Sequence, residues 1–207
     1  MAKTGFLTSI LLLFAASQAI GCSDSGIEPS RADARARTPA QPAPLVYRID
    51  VQVHTAHTEM DRDKLGPVLA EAQRIWTMQA AICFEFRAVV HDDDAVTGFD
   101  VWYLPQIPNT PDVNGTIDGR RIFVRDHPVL APAIRPAQEP AARTTAHELG
   151  HGLTLDHYED LRDLAESLMA SRKAGFALHA GEIARARGAA AAIGESMDAA
   201  YACASLR

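Results

Sequence analysis

The chain has 207 residues, 47% apolar and 22% charged, with 26 acidic against 20 basic side chains for a formal net charge of -6. That balance is ordinary for a soluble globular protein with a single domain's worth of core. There is no basic stripe with interleaved aromatics, so no nucleic-acid partner is expected.

The first 21 residues read as a secretory signal. Lys3 gives a positive start, Phe6 to Ala16 form an apolar run, and small residues follow. The run is too short and too one-sided for a membrane span. The junction Ala19-Ile20-Gly21-Cys22 resembles the bacterial lipobox, in which a small residue precedes a cysteine that is cut and acylated. This resemblance implies export, with membrane attachment through a lipid on Cys22 alone. Ser23 after the cysteine points to the outer membrane or cell surface. Ordinary cleavage after Ala19, at Ser17-Gln18-Ala19, is the alternative and would leave a secreted protein. Residues 22–44 hold almost no large apolar side chains and read as a disordered tether. Residues 45–207 are then the folded, monomeric domain, with an upper lobe at 45–152 and a lower lobe at 153–207. An exported compartment permits a disulfide between the two remaining cysteines, Cys83 and Cys203. It would close a loop of about 120 residues, worth nominally about 5 kcal/mol in the chain-entropy view. Two unpaired buried thiols are the alternative.

The domain opens with LVYRIDVQVHTAH, whose period-two alternation at Ile49, Val51 and Val53 predicts a strand. Leu65, Val68, Leu69, Ala72, Ile75 and Trp76 follow at helical spacing, with Asp61 or Asp63 available as cap and Pro67 near the first turn. Two more strands are predicted at 83–90 and 99–105. Turns fall around Asn114-Gly115 and Asp118-Gly119, and a strand covers Arg121 to Arg125. Residues 114 to 116 have a second reading, as a cleft-edge strand open to pairing with a peptide backbone. A Pro-rich passage at 128–140 leads to a helix starting after Pro140, and a last helix is expected from about Glu182. This order predicts an α+β fold: a twisted mixed sheet with two packed helices, then a mostly coil lobe with one or two helices.

The second helix carries HELGH. His147 and His151, four apart, lie one above the other and can share one Zn²⁺. Glu148, rotated by about 100°, can reach a water at that ion without being a ligand, which is the general-base placement of HExxH hydrolases. His157 lies six residues beyond His151. A continuous helix would carry it about 9 Å along the axis and onto another face, so it can join only if the helix stops and the chain doubles back. Gly152 weakens the helix there.

At these residues the sequence resembles the metzincin zinc endopeptidases, whose signature is HExxHxxGxxH followed by a methionine turn. His147, Glu148, His151 and His157 match at the family spacing, and Met169 in Ser167-Leu168-Met169-Ala170 matches the turn. The resemblance spans about residues 45 to 190, at a matrixin-like or unassigned subfamily level. It implies a metalloendopeptidase of the EC 3.4.24 type acting on peptides or proteins. His147, His151 and His157 would be the zinc ligands, Met169 would lie beneath the metal, and Ser171 to Gly181, with Phe176 and Leu178, would wall the specificity pocket. Tyr158 matches no subfamily marker, and no tyrosine follows Met169 closely enough to act as a fifth ligand. Thr154 departs from the family glycine, whose positive φ is costly for a β-branched residue.

Three other readings remain open at this point. A downstream carboxylate, Glu166 or Glu182, could supply the third ligand in place of His157. The chain could be a surface binding lipoprotein whose zinc does no chemistry, although three ligands and an open position favour catalysis. Asp92, Asp93 and Asp94 could hold Ca²⁺ together with Asp100, against a plain solvated loop. His54 and His57 are read as surface or satisfied side chains.

Overall fold

β1 (Val46–His54) is the strand against which most of the sheet is laid. It pairs in parallel with β2 (Ile82–Val89) along its length, and on its other side with β3 (Phe99–Leu104) from Val51 to His54. β5 (Arg121–Arg125) runs parallel to β3, and β4 (Gly115–Asp118) closes that side antiparallel to β5. The order β2-β1-β3-β5-β4 makes β2 and β4 the two edges. β6 (Glu195–Met197) pairs antiparallel with the first residues of β1. This is a mixed sheet with few helices, an α+β arrangement. The structure is a computed structural model and describes residues 45–89, 98–127, 140–157, 165–171, 173 and 175–204. The residues read as signal and tether, Cys22 among them, the Asp92–Asp94 run and Tyr158 lie outside the described residues. Among the described residues, no helix is long and apolar enough to cross a membrane.

α1 (Arg62–Ala80) makes the crossover that a parallel β1–β2 pair requires. Asp61 caps it, accepting from the Lys64 backbone N–H at 2.9 Å. Its 3.6-residue apolar stripe buries Leu65, Val68, Leu69, Ala72, Ile75 and Trp76 on one face of the sheet. That sheet face supplies Val51, Val53, Phe84, Phe99, Val101, Tyr103, Ile122 and Val124. α2 (Pro140–Gly152) covers the β4–β5 end of the same face and packs beside α1. The indole N–H of Trp76 donates to Ala146 O at 3.0 Å, and the Tyr103 hydroxyl meets Thr145 Oγ1 at 2.7 Å. α2 is therefore fixed both to its neighbour helix and to the sheet. α3 (Ala180–Ile193) begins two residues earlier than Glu182, which instead caps it by accepting from the His179 N–H at 2.8 Å.

Candidate metal centre

α2 ends in a Schellman motif built from the residues that the sequence left in question. The Leu155 N–H donates to Gly150 O at 3.0 Å and the Thr154 N–H to His151 O at 2.9 Å. The residue such a motif places in the left-handed region is Thr154, at φ 63°. The threonine adopts the glycine conformation, and the turn closes as it would with glycine. Leu155 is buried beyond the turn, so the chain is pulled back along the helix end and delivers His157 to the other two histidines.

The three rings form one cluster. Centroids lie 4.7 Å apart for His147–His151, 4.8 Å for His151–His157 and 5.3 Å for His147–His157. One ligand atom from each lies within 4.8 Å of the others. His147 Nδ1 contacts Leu168 O at 2.7 Å, and His151 Nδ1 contacts Leu155 O at 2.7 Å. A carbonyl can only accept, so both Nδ1 atoms carry the proton and both Nε2 atoms present a lone pair. Those two Nε2 atoms face each other at 3.1 Å. Two lone pairs at that distance repel unless a cation lies between them. Two nitrogens on a tetrahedral Zn²⁺ would be separated by about 3.3 Å. The donor set, its tautomers and its spacing therefore fit zinc.

Burial pushes the His147 pKa down to about 3, against the raising effect of its bond to Leu168, and lowers that of His151 as well. Both rings are neutral at pH 7, as metal ligands must be. Glu148 is 6% exposed, and burial lifts its carboxyl to about 7 against the opposing pull of the Arg143 cation. A carboxyl poised near neutrality beside three imidazoles can exchange protons in either direction. Edge strand β4 reaches it through Gly115, where a Cβ would stand 2.7 Å from Glu148 Oε1 and 2.5 Å from Thr144 Cγ2. Only a residue without a side chain lets β4 lie this close to the carboxylate.

Met169 is fully buried in a turn running from Ser167 to Ala170, its N–H donating to Ser167 Oγ at 3.1 Å. A Cβ at Gly150 would stand 2.5 Å from Met169 Sδ and 3.3 Å from Trp76 Cζ2, so the first glycine of HELGHG is where α2 rests on the methionine. The segment after the turn is held as a pseudo-strand: the Leu168 N–H donates to Ala177 O and the Ala177 N–H to Glu166 O, each at 2.8 Å, and Gln79 brackets Phe176 O at 2.7 Å and the Leu178 N–H at 2.8 Å. Phe176 and Leu178 pack against the core.

Other expected residues fall elsewhere. Glu166 and Glu182 are not members of the histidine cluster. Asp100 is fully buried and contacts the His54 ring at 2.8 Å, which in turn stacks on Trp102. It is thus engaged with a histidine, while His57 is exposed. Cys83 and Cys203 are joined as a disulfide across a Cα separation of 5.7 Å. Sequence reasoning passed over Arg143, β6 and the role of Gln79. For Arg143 one signal was available: it is the only charged residue among the first seven of α2 and lies one turn before His147.

No protein-family model matches the sequence, and no curated protein matches it. Among solved structures, archaemetzincin from Methanopyrus kandleri is similar at a TM-score of 0.47 and 11% identity, over 69% of this chain and 95% of that one. Metalloproteinase-II from Bacteroides fragilis is similar at 0.47 and 10% identity, over 73% of this chain and 55% of that one. At these identities neither likeness assigns a family, and what the centre can do is decided by its own side chains.

Proposed function

We propose that the protein is an exported zinc-dependent endopeptidase, with Glu148 as its general base. The observation that carries this reading is the convergence of His147, His151 and His157 around one point, with a buried carboxyl alongside. Zn²⁺ held by the three imidazoles would supply a Lewis acid for a peptide carbonyl and lower the pKa of a water molecule. Glu148 takes a proton from the attacking water and returns it to the leaving amine nitrogen. In the metal-free protein burial raises its pKa to about 7, and that same burial favours uptake of the proton in the cycle. The edge position of β4 supports an extended peptide lying beside it, with Phe176 and Leu178 forming the wall of a side-chain pocket. Met169 gives the centre its apolar floor.

The experiment is a peptide-library digest with zinc-loaded wild-type protein, with chelator, and with Glu148→Gln. The variant should bind one zinc and leave the peptides intact; hydrolysis by it would sink the general-base role. A zinc-loaded wild type that cuts nothing would favour a binding protein whose metal does no chemistry. The apolar N-terminus and Ala19-Ile20-Gly21-Cys22 support export and acylation at Cys22. Labelled palmitate should enter the wild type and not Cys22→Ala.

A further inference from the structure

Arg143 lies four residues before His147 and so on the same face of α2, one turn earlier. Its guanidinium is turned inward onto backbone. Nη2 donates to Leu168 O at 2.8 Å and to Ala170 O at 2.7 Å, while Nε donates to Gly175 O at 3.1 Å. Burial pulls its pKa down to about 10, against the raising effect of the Glu148 carboxylate. A cation is costly to bury, so a buried one needs its donors satisfied by fixed acceptors. These acceptors are two carbonyls of the methionine turn and one from the chain that returns past it.

One acceptor has a second client. Leu168 O also receives the Nδ1–H of His147 at 2.7 Å. The carbonyl that fixes the tautomer and plane of the histidine is itself aimed by the guanidinium. Groups that orient a metal-binding histidine in this way usually change metal affinity by about 10–100-fold when removed. The planar fork of arginine spans three carbonyls at set angles, whereas a lysine ammonium is a single point with freely rotating donors.

We propose that Arg143 is a positioning residue for the metal centre, holding His147 in its ligating orientation through the Leu168 carbonyl. This rests on reading the three histidines as a zinc site. Gln79 secures the far end of the same segment, so Arg143 acts on a turn that is otherwise anchored and its removal frees the Leu168 peptide in particular.

The test compares Arg143→Lys and Arg143→Gln with Arg187→Ala. Arg187 also staples two backbone carbonyls, Ala80 O and Leu45 O, but well away from the histidines. Zinc affinity is measured by competition with a chromophoric chelator, well below each variant's melting temperature. Ring-nitrogen NMR reports the tautomer of His147. Both Arg143 variants should bind zinc at least about tenfold more weakly than wild type, with the Nδ1–H signature of His147 lost or mixed. Arg187→Ala should melt earlier and bind zinc as wild type does. Folded Arg143 variants with wild-type zinc affinity and an unchanged His147 signature would overturn the proposal and leave Arg143 a fold staple only. If Arg143→Gln does not fold, Arg143→Lys alone decides. A wild type that binds no zinc overturns the metal reading, and this proposal with it.

Discussion

Thr154 holds a backbone conformation that side-chain-bearing residues adopt at a cost of about 1–2 kcal/mol. Replacing it with glycine removes that strain but adds about 0.5–1 kcal/mol of unfolded-state entropy. The net is a stabilisation of about 0–1.5 kcal/mol, which in a domain of this size raises Tm by up to about 6 °C. Thermal unfolding of Thr154→Gly checks this, and a lower Tm would mean the threonine is unstrained. The position was legible beforehand, because the need for a helix break follows from the His151–His157 spacing and the expected glycine from the metzincin resemblance. The state of Glu148 was not, since its burial comes from Gly115 and its opposing charge from Arg143. That burial has a titration consequence in the metal-free protein. With its pKa raised to about 7, Glu148 adds stability that is full below about 4.5 and lost as pH rises through 7. His147, lowered to about 3, adds stability that is full above about 6.5 and lost as pH falls toward 3. Between about pH 4.5 and 6.5 the two slopes oppose each other at about 1.4 kcal/mol per pH unit each. Glu148→Gln removes one of them. Urea unfolding in chelator should find its stability climbing with pH more steeply than wild type, by about 1.4 kcal/mol per unit across that window. Parallel curves would place Glu148 in water.

Among the elements, α1, β1 and β5 could be read directly, β4 only as one of two readings of residues 114 to 116, and β6 not at all. α1 announces itself through six apolar residues at helical spacing, and β1 through alternation. β4 has only four residues, Gly115 to Asp118, flanked by turn signals, so its strand character comes from pairing with β5. β6 has three residues and exists because β1 has a free edge before β3 begins. Both are tertiary decisions overriding a weak local preference. For β4 the consequence is functional. Gly115→Ala puts a methyl 2.7 Å from Glu148 Oε1 and 2.5 Å from Thr144 Cγ2, too close for either side chain to stay where it is. Either β4 moves out or the carboxylate moves away. A shift of about 1 Å in a reacting group can lower the rate by about a hundredfold. The expected outcome is a fall in kcat of about 10–100-fold with zinc affinity unchanged, since the atoms nearest the added methyl belong to Thr144 and Glu148 and not to a histidine. Steady-state kinetics beside zinc titration checks it. Loss of zinc binding in a folded Gly115→Ala would show that β4 supports the ligands instead of the base.

Across the whole molecule, stabilising and functional parts are separated by the strand order. The histidine cluster lies where α2 covers β4 and β5, at one end of the sheet. β2, at the other end, carries Cys83, and the C-terminal tail returns to it. Cys203 bridges to Cys83, Tyr201 bonds Glu85, and Gln73 clasps Phe84 O and Ala204 O at 2.8 Å each. The bridge spans a sequence separation of 120 residues, and in the chain-entropy view closing that loop is worth up to about 5 kcal/mol. That is a large share of the 5–15 kcal/mol typical of a domain. Three strands stand between the bridge and the edge beside Glu148, so the loss should weaken the fold without reshaping the centre. Cys203→Ser should therefore unfold at lower urea by about 2–5 kcal/mol, while its zinc affinity below the transition matches wild type. Zinc should also raise the Tm of both proteins in parallel, because the ligand stabilises each folded state by the same RT ln(1 + [Zn]/Kd). A zinc-induced rise that shrinks in Cys203→Ser would mean that the tail and the histidine cluster are coupled through the sheet.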